Sequence, residues 1–300
     1  MTKERIALVG AGAAGSALIL ALHQAGYPVS GVASRTLESA QRCAALIGNP
    51  PATSDPAPAV VGADIIILAT PDGQIEPACR AIADQGVIRP GQLFLHLSGA
   101  LTSSALDSAQ HKGADVLSLH PIQALADPVK GAELLNGTWF CLEGTASAIT
   151  RTESLVKAMQ GEILIVPAEK KALYHAALCV AANYLVTIES IAVTLLEQVG
   201  IERQTGLQAI LPLSAGSVEN LAHSGLPAAL TGPVSRGDTT TIARHIDSRR
   251  EAPPTYQALY RMLGKETVEL ALAKGGLEPE QAEQIRLLLT PQPPDACLIS

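Results

Sequence analysis

Aromatic residues are nearly missing: 2 Phe, 5 Tyr and 1 Trp make up 3% of 300 residues. A core built without rings relies on aliphatic side chains, and the abundance of Ala and Leu favours helices packed closely on one another or on a sheet. Charge is sparse as well, at 16%, and the 21 basic side chains fall short of the 28 acidic ones, for a net charge of −7. Without a basic surplus, no broad face is expected to neutralise nucleic-acid phosphates or anionic lipid. Cysteines 43, 79, 141, 179 and 297 are scattered and form no CxxC pair. That pattern suits neither a disulfide framework nor a zinc site, and no metal is expected. What the chain does have is apolar mass, 47% of its length, enough for two domains with a core in each.

Lys3 and Arg5 ahead of the uncharged stretch 6–22 imitate a secretory signal. Gly10, Gly12 and Gly15 interrupt that stretch, at a spacing with its own explanation. The last four residues, Cys297-Leu298-Ile299-Ser300, have the form of a prenylation box but lack the basic segment or second lipid site that stable anchoring needs. The charge-free run 172–188 includes His175 and Asn183 and is shorter than the roughly 18 to 20 apolar residues of a bilayer span. A cytoplasmic protein that binds neither membrane nor nucleic acid is therefore expected.

From residue 4 to about 166, short apolar runs alternate with helical patterns, as in a mostly parallel sheet flanked by helices. Strands are predicted at 5–9, 29–33, 64–69, 93–97, 116–119, 139–142 and 163–166, with helices at 14–25, 37–46, 75–84 and 148–159. The alternation stops at Pro167. Residues 168–199 contain no Gly or Pro up to Val199, and their apolar character extends almost all round, so a single long helix is predicted. Such a helix must be enclosed by other helices or by a second subunit. The reading is an α/β domain over 1–167, an all-helical domain over 168–300 that binds substrate and dimerises, and a homodimer. The only linker-like tract is the tail from Pro291 to Ser300.

Ile6-Ala7-Leu8-Val9 runs into Gly10-Ala11-Gly12-Ala13-Ala14-Gly15 and then an Ala/Leu helix, which is GxGxxG in its required setting of strand, turn and helix. The first glycine permits the turn, the second admits a pyrophosphate, and the third lets helix and strand pack closely; the helix N-terminus adds free N–H groups and partial positive charge. An NAD site ordinarily closes the second strand with Asp or Glu for the ribose 2′-hydroxyl. Here Ser34, Arg35 and Thr36 stand there instead, two hydroxyls and a guanidinium that suit a 2′-phosphate, so NADP(H) is the expected cofactor. Thr70 and Pro71 follow an apolar strand and are expected to line the cofactor ribose.

Polar residues also gather at other strand ends. Ser98 and Gly99 follow one strand and fit either an approach to the nicotinamide or a plain turn. His120, after Leu119, is either a structural imidazole or a substrate ligand or proton donor. Lys171 and His175 are i and i+4 on one helical face, an arrangement that requires a neutral histidine or a lysine of lowered pKa, the latter being what a proton donor in a partly desolvated cleft needs. A solvated first turn with a core histidine is the alternative. Asn183 lies about 80° round from His175 at 100° per residue, a second partner or a packing amide. Farther on, Arg236, Gly237, Asp238 and Thr239 form a loop-to-helix turn suited either to a substrate carboxylate or simply to reversing the chain.

Two segments, Thr231-Gly232-Pro233-Val234-Ser235-Arg236-Gly237-Asp238 and the run from Lys171 to Tyr184, resemble a bacterial family that joins a Rossmann-like domain to a C-terminal domain of unknown function. The resemblance covers nearly the whole chain. It extends to the wider group of 6-phosphogluconate dehydrogenase-like proteins, β-hydroxyacid dehydrogenases, ketopantoate reductases and pyrroline-5-carboxylate reductases. It implies a Rossmann domain followed by a helical, 6-phosphogluconate dehydrogenase C-terminal-like domain whose two copies interlock. It further implies NADPH-dependent reduction of a ketone or imine of a small carboxylic acid. Lys171 matches the catalytic lysine of the hydroxyacid branch, whereas His175 replaces the Asn common four residues later. The expected activity is reduction of a small 2-oxo or imino carboxylate, ketopantoate first among substrates, by Lys171 with His175 or His120. The alternative is a non-catalytic NADP(H)-binding redox sensor.

Overall fold

The computed structural model describes residues 3–248 and 254–291. Cys297–Ser300, and with them the prenylation-box reading and nearly all of the linker-like tail, lie outside the described residues. In order, the chain forms β1 (Ile6–Val9), α1 (Ala13–Gln24), β2 (Val29–Ala33), α2 (Leu37–Ala45), β3 (Ala52–Thr53), α3 (Pro56–Val61), β4 (Ile65–Leu68) and α4 (Asp72–Asp84). Then come β5 (Leu93–His96), α5 (Asp107–Gln110), β6 (Asp115–Pro121), α6 (Pro128–Leu135), β7 (Trp139–Gly144), α7 (Ala146–Ala158) and β8 (Glu162–Ile165). The remainder is helical: α8 (Lys171–Leu178), α9 (Tyr184–Gln198), α10 (Arg203–Ser224), α11 (Thr239–Ser248), α12 (Pro254–Lys274) and α13 (Pro279–Leu289). Two compact units result, 1–183 and 184–300.

The first unit is built on one eight-stranded sheet in the order β3-β2-β1-β4-β5-β6-β7-β8. All neighbours run parallel except β6 and β7, which are antiparallel. Both faces are covered, as a parallel sheet requires, and the period of two in each strand divides the core cleanly. Ile6, Leu8, Ile65, Ile67, Leu93 and Leu95 pack on one side, and Ala7, Val9, Ile66, Leu68 and Phe94 on the other. The predicted strands and helices are all present. The structure adds β3, too short to show a period, and three helices, α3, α5 and α6. Of these, α3 and α6 begin with an Asp cap followed by Pro at the first helical position: Asp55 accepts from the Ala57 N–H, and Asp127 from Val129 and Lys130.

Helix 168–198 departs from the predicted uniform helix. It opens with a 3₁₀ turn at Ala168–Lys170 and carries a π-helical turn at Cys179–Asn183, between α8 and α9. A single π turn inserts one extra residue per turn and shifts the register of everything after it, and such turns concentrate at functional sites. By length and composition this is the one helix among the described residues apolar enough to cross a bilayer, a length the charge-free run 172–188 alone does not reveal. In the second unit, Val234, Ile242, Val268, Ala271, Leu277, Ala282, Ile285 and Leu289 form a separate core from α11, α12, α13 and the loops before α11 and α13.

Candidate active site

The turn from β1 into α1 is shaped by what its glycines leave out. Gly10 has φ +105°, and a Cβ there would stand 2.6 Å from the Ala69 carbonyl carbon. A Cβ on Gly15 would stand 2.5 Å from the Gly10 oxygen, so α1 and β1 approach each other only because that position is bare. Gly12 differs: nothing lies within 4 Å of its added Cβ, and the backbone faces open space. Gly12 starts α1 without a side-chain cap, and no acidic residue occupies the first turn, so the leading N–H groups remain available to an anion. Among the described residues, the buried Thr70 hydroxyl at the end of β4 has no hydrogen-bond partner.

A groove of about 560 Å³ adjoins this turn, lined by Gly12, Ala13, Ser16, Ser39, Arg42 and Val129 among others. Ser34, Arg35 and Thr36 follow β2 but are not part of that lining. Thr36 caps α2, accepting from the Ser39 N–H and donating to the Ser39 hydroxyl at 2.8 Å. Ser39 also accepts from Arg42 Nη2 at 3.0 Å. Ser39 and Arg42 escaped sequence reasoning because they sit one and two turns into a helix rather than at the strand end.

Next along the same edge of the sheet, beyond β4, a second constellation forms at the carboxyl ends of β5 and β6. Ser118 and His120 are i and i+2 on β6 and share a face; Lys171, Tyr174 and His175 share a face of α8 at i, i+3 and i+4. The two faces meet. Lys171, 1% exposed, donates through Nζ to the Ser98 carbonyl at 3.2 Å and to Ser118 Oγ. Burial lowers its pKa, opposed by Cys141, Glu143 and Asp72. Its bonding partners are neutral, and among the described residues it forms no ion pair.

His120 Nδ1 lies 2.8 Å from Tyr174 Oη, with the rings edge to face at 87°. The His175 ring stands 6.2 Å from that of His120. Burial pushes His120 down to about 4, reinforced by Lys171 and then His175, with Asp72 opposing. Burial also raises the Tyr174 hydroxyl far above its ordinary range and raises the Cys141 thiol beside it. At neutral pH the cluster therefore holds a neutral imidazole and a protonated phenol. Gly99 presses against both imidazoles: a Cβ there would stand 2.8 Å from His175 Cδ2 and 2.9 Å from His120 Nε2.

The loop carrying Ser98 and Gly99 is fastened at every polar side chain in reach. His96, fully buried, accepts the Ser98 N–H on Nδ1 at 3.1 Å. Its Nε2 lies 3.0 Å from the Thr102 carbonyl, which can only accept, so the proton sits on Nε2 and the ring is neutral. Its pKa falls to about 4, chiefly through burial. Ser98 Oγ donates to Asp72 at 2.9 Å while accepting from the Ala100 and Leu101 N–H groups. Glu143, on β7, accepts from both the Ser103 N–H, at 2.6 Å, and the Ser103 hydroxyl, at 2.8 Å. Glu143 carries no motif in the sequence and was not foreseen.

Of the remaining predicted residues, Asn183 is exposed and ends the π turn. Arg236, Gly237, Asp238 and Thr239 lie in the second unit, where Gly237 adopts φ +67°. The Asp238 carboxylate accepts from the Thr241 N–H at 2.9 Å and from its hydroxyl at 2.7 Å, capping α11; these bonds hold its pKa below the usual range. The side chain expected to border an anion thus already supplies one. Among the described residues, no group of three or more His, Cys, Asp or Glu could hold a metal ion.

Residues 1–121 match the family described as a Rossmann-like domain, and residues 138–267 match Domain of unknown function (DUF2520). No curated protein matches the chain in sequence. Among solved structures, the Bacteroides fragilis protein BF3122 superposes with a TM-score of 0.70 at 21% identity, covering 89% of this chain and 99% of that one. An imine reductase from Myxococcus stipitatus, solved with NADP+, superposes at 0.59 and 18% identity, covering 91% and 95%. A pyrroline-5-carboxylate reductase from Coxiella burnetii gives 0.57 and 16%, covering 95% of this chain and 98% of that one. At these identities the likeness is one of fold.

Proposed function

We propose that this protein is an NADPH-dependent oxidoreductase that reduces the carbonyl or imine group of a small carboxylate. One observation carries the reading: a bare glycine turn and a desolvated Lys/His/Tyr cluster stand on the same edge of one sheet, and between them the Ser98–Asp72 hydrogen bond ties the loop after β5 to the start of α4. From β1 to β6 is three strand intervals, about 14 Å at roughly 4.8 Å each, a distance a dinucleotide can bridge. The residues fit such a cofactor. Gly10 to Gly15 leave room for a pyrophosphate at the α1 N-terminus, and the orphaned Thr70 hydroxyl gains a partner in a ribose. Ser34, Arg35 and Thr36, with Ser39 and Arg42, supply the hydroxyls and guanidinium groups for a 2′-phosphate. When bound, the dinucleotide supplies hydride.

The protein's own part is positional and electrostatic. The Tyr174 hydroxyl donates to His120 Nδ1, which leaves the His120 proton on Nε2, available to the substrate heteroatom. Lys171 holds the Ser98–Gly99 loop and places a positive charge behind that imidazole, with His175 beside it. Thr70 and Pro71 face the ribose, and Ser98 and Gly99 the nicotinamide. Within the second unit Arg236 is the candidate for an anion contact, since the Gly237 and Thr239 N–H groups already donate to the Val234 and Gly237 carbonyls; Asn183 is the candidate for a polar contact in the first. Leu173, Val180, Val186 and Leu213 are each more than 60% exposed on a single chain, which supports a homodimer formed through the helices.

A thermal-shift screen of NADP+, NADPH, NAD+ and NADH, repeated with 2-oxo acids, tests the reading, since a ligand of the native state alone raises Tm. NADP(H) is expected to give the larger shift. The reading fails if no nicotinamide dinucleotide moves Tm, or if the protein oxidises no NADPH with any keto or imino acid. The complete burial of Lys171 supports a second reading, a cofactor-binding redox sensor without turnover. Cofactor binding with no turnover on any substrate would favour it.

A further inference from the structure

The imine and the carbonyl ask opposite things of the charges around them. Hydride addition to an iminium cancels a positive charge, and a site for it gains from a carboxylate facing the nitrogen. Hydride addition to a carbonyl creates negative charge on oxygen, and a site for it gains from a cation and from neutral donors. The cluster contains two nearby carboxylates, and both are turned to the loop. Asp72 is engaged by Ser98 Oγ, and Glu143 takes two bonds from Ser103. The one ammonium, Lys171, is buried against a carbonyl and a hydroxyl, with no carboxylate paired to it among the described residues. The side chains grouped over Gly99, His120 with Tyr174 and His175, bring no anion. Of the charges that act on His120, Lys171 is the strongest and outweighs Asp72.

Resting on the reading proposed above, we infer that the substrate group is a carbonyl and the product a hydroxy acid, not an imine and an amino acid. Hydride addition forms a C–H bond at the carbonyl carbon and moves the C=O π pair onto oxygen. The resulting alkoxide takes the proton held on His120 Nε2 to become the hydroxyl, and the imidazole regains a proton from water, whose hydroxide leaves to solvent. The co-reactant is a reduced nicotinamide dinucleotide and the by-product its oxidised form, so two electrons leave the cofactor and enter the carbon. The field of Lys171 favours the alkoxide and disfavours an ammonium at the same place.

The inference is tested by isothermal titration of the full-length protein saturated with NADP+, using matched pairs of 2-hydroxy and 2-amino carboxylates of the same carbon skeleton. The hydroxy acid of the best pair is expected to bind at least 10-fold more tightly than the amino acid. Lys171→Met is expected to narrow that ratio to below about 3-fold, and Lys171→Arg to preserve it. Equal or tighter binding of the amino acid, or binding of no hydroxy acid, overturns the inference while leaving the cofactor reading standing. An unchanged ratio in a folded Lys171→Met protein does the same. If NADP+ itself does not bind, both fall. Should Lys171→Met not fold, the wild-type ratio decides the matter alone, and NADPH consumption with a 2-oxo acid against a preformed cyclic imine gives a second reading.

Discussion

The two halves of the candidate site are made in opposite ways. The β1–α1 turn works by subtraction: Gly10 and Gly15 exist so that backbone can touch backbone, and Gly12 leaves its N–H groups facing open space. The cluster over β5 and β6 works by crowding, with nearly every polar side chain already committed to a partner. The contrast separates two tasks. A backbone site grips a constant ligand and tolerates no added atoms, while a side-chain site sets charge and proton positions and is sensitive to chemistry at constant size.

That contrast is broken most directly at Gly15. Gly15→Val places methyls where even a Cβ would lie 2.5 Å from the Gly10 oxygen. Loss of all measurable NADP+ binding is expected, with overpacking of about 2 kcal/mol or more in urea unfolding; normal binding would show that the close approach does not matter. Lys171→Met is expected to lower kcat by roughly 10³-fold with the NADP+ Kd within about 2-fold of wild type, as measured by fluorescence quenching. A parallel loss of cofactor affinity would dissolve the distinction between the halves.

Acid sharpens it further. His96 and His120 have pKa values near 4 in the folded chain against an ordinary 6.5, so below 6.5 the unfolded chain takes up protons that the folded chain refuses. Stability should fall as pH drops from about 6.5 to 4 and level off below, by about 3 kcal/mol per histidine at most. The His96→Gln, His120→Gln double variant should lose that slope in urea titrations. The smallest effect belongs to Glu143→Gln, which keeps one acceptor for Ser103 and should cost about 1 kcal/mol, whereas Glu143→Ala should cost about 2 to 3.

How much of this could be read beforehand follows from range. The glycine turn is local, the ten residues of strand and turn from Ile6 to Gly15, and its spacing alone carries it. The strands announce themselves because both faces are buried and the runs are almost wholly apolar. The side-chain cluster draws on residues from 72 to 175 that only a parallel sheet brings to one edge, so Ser98, His120, Lys171 and His175 were visible one by one, whereas Asp72, Ser118, Glu143 and Tyr174 were not singled out. Ser118 looked like an ordinary strand residue, and Glu143 stands just past the predicted strand 139–142 with no motif around it. Helices α3 and α6 were missed although Asp55-Pro56 and Asp127-Pro128 signal a start, because each helix is too short to show a period. The long helix was foreseen as uniform, since nothing in Cys179 to Asn183 marks a π turn at the level of residue type.

The His96 ring, tied at both nitrogens and sealed from solvent, has a use beyond holding a loop. An imidazole N–H so protected exchanges slowly enough with water to appear as its own resonance far downfield in a proton spectrum. Its line would broaden whenever the 97–102 segment lifts, so the molecule contains a native reporter of motion there, read without label or mutation.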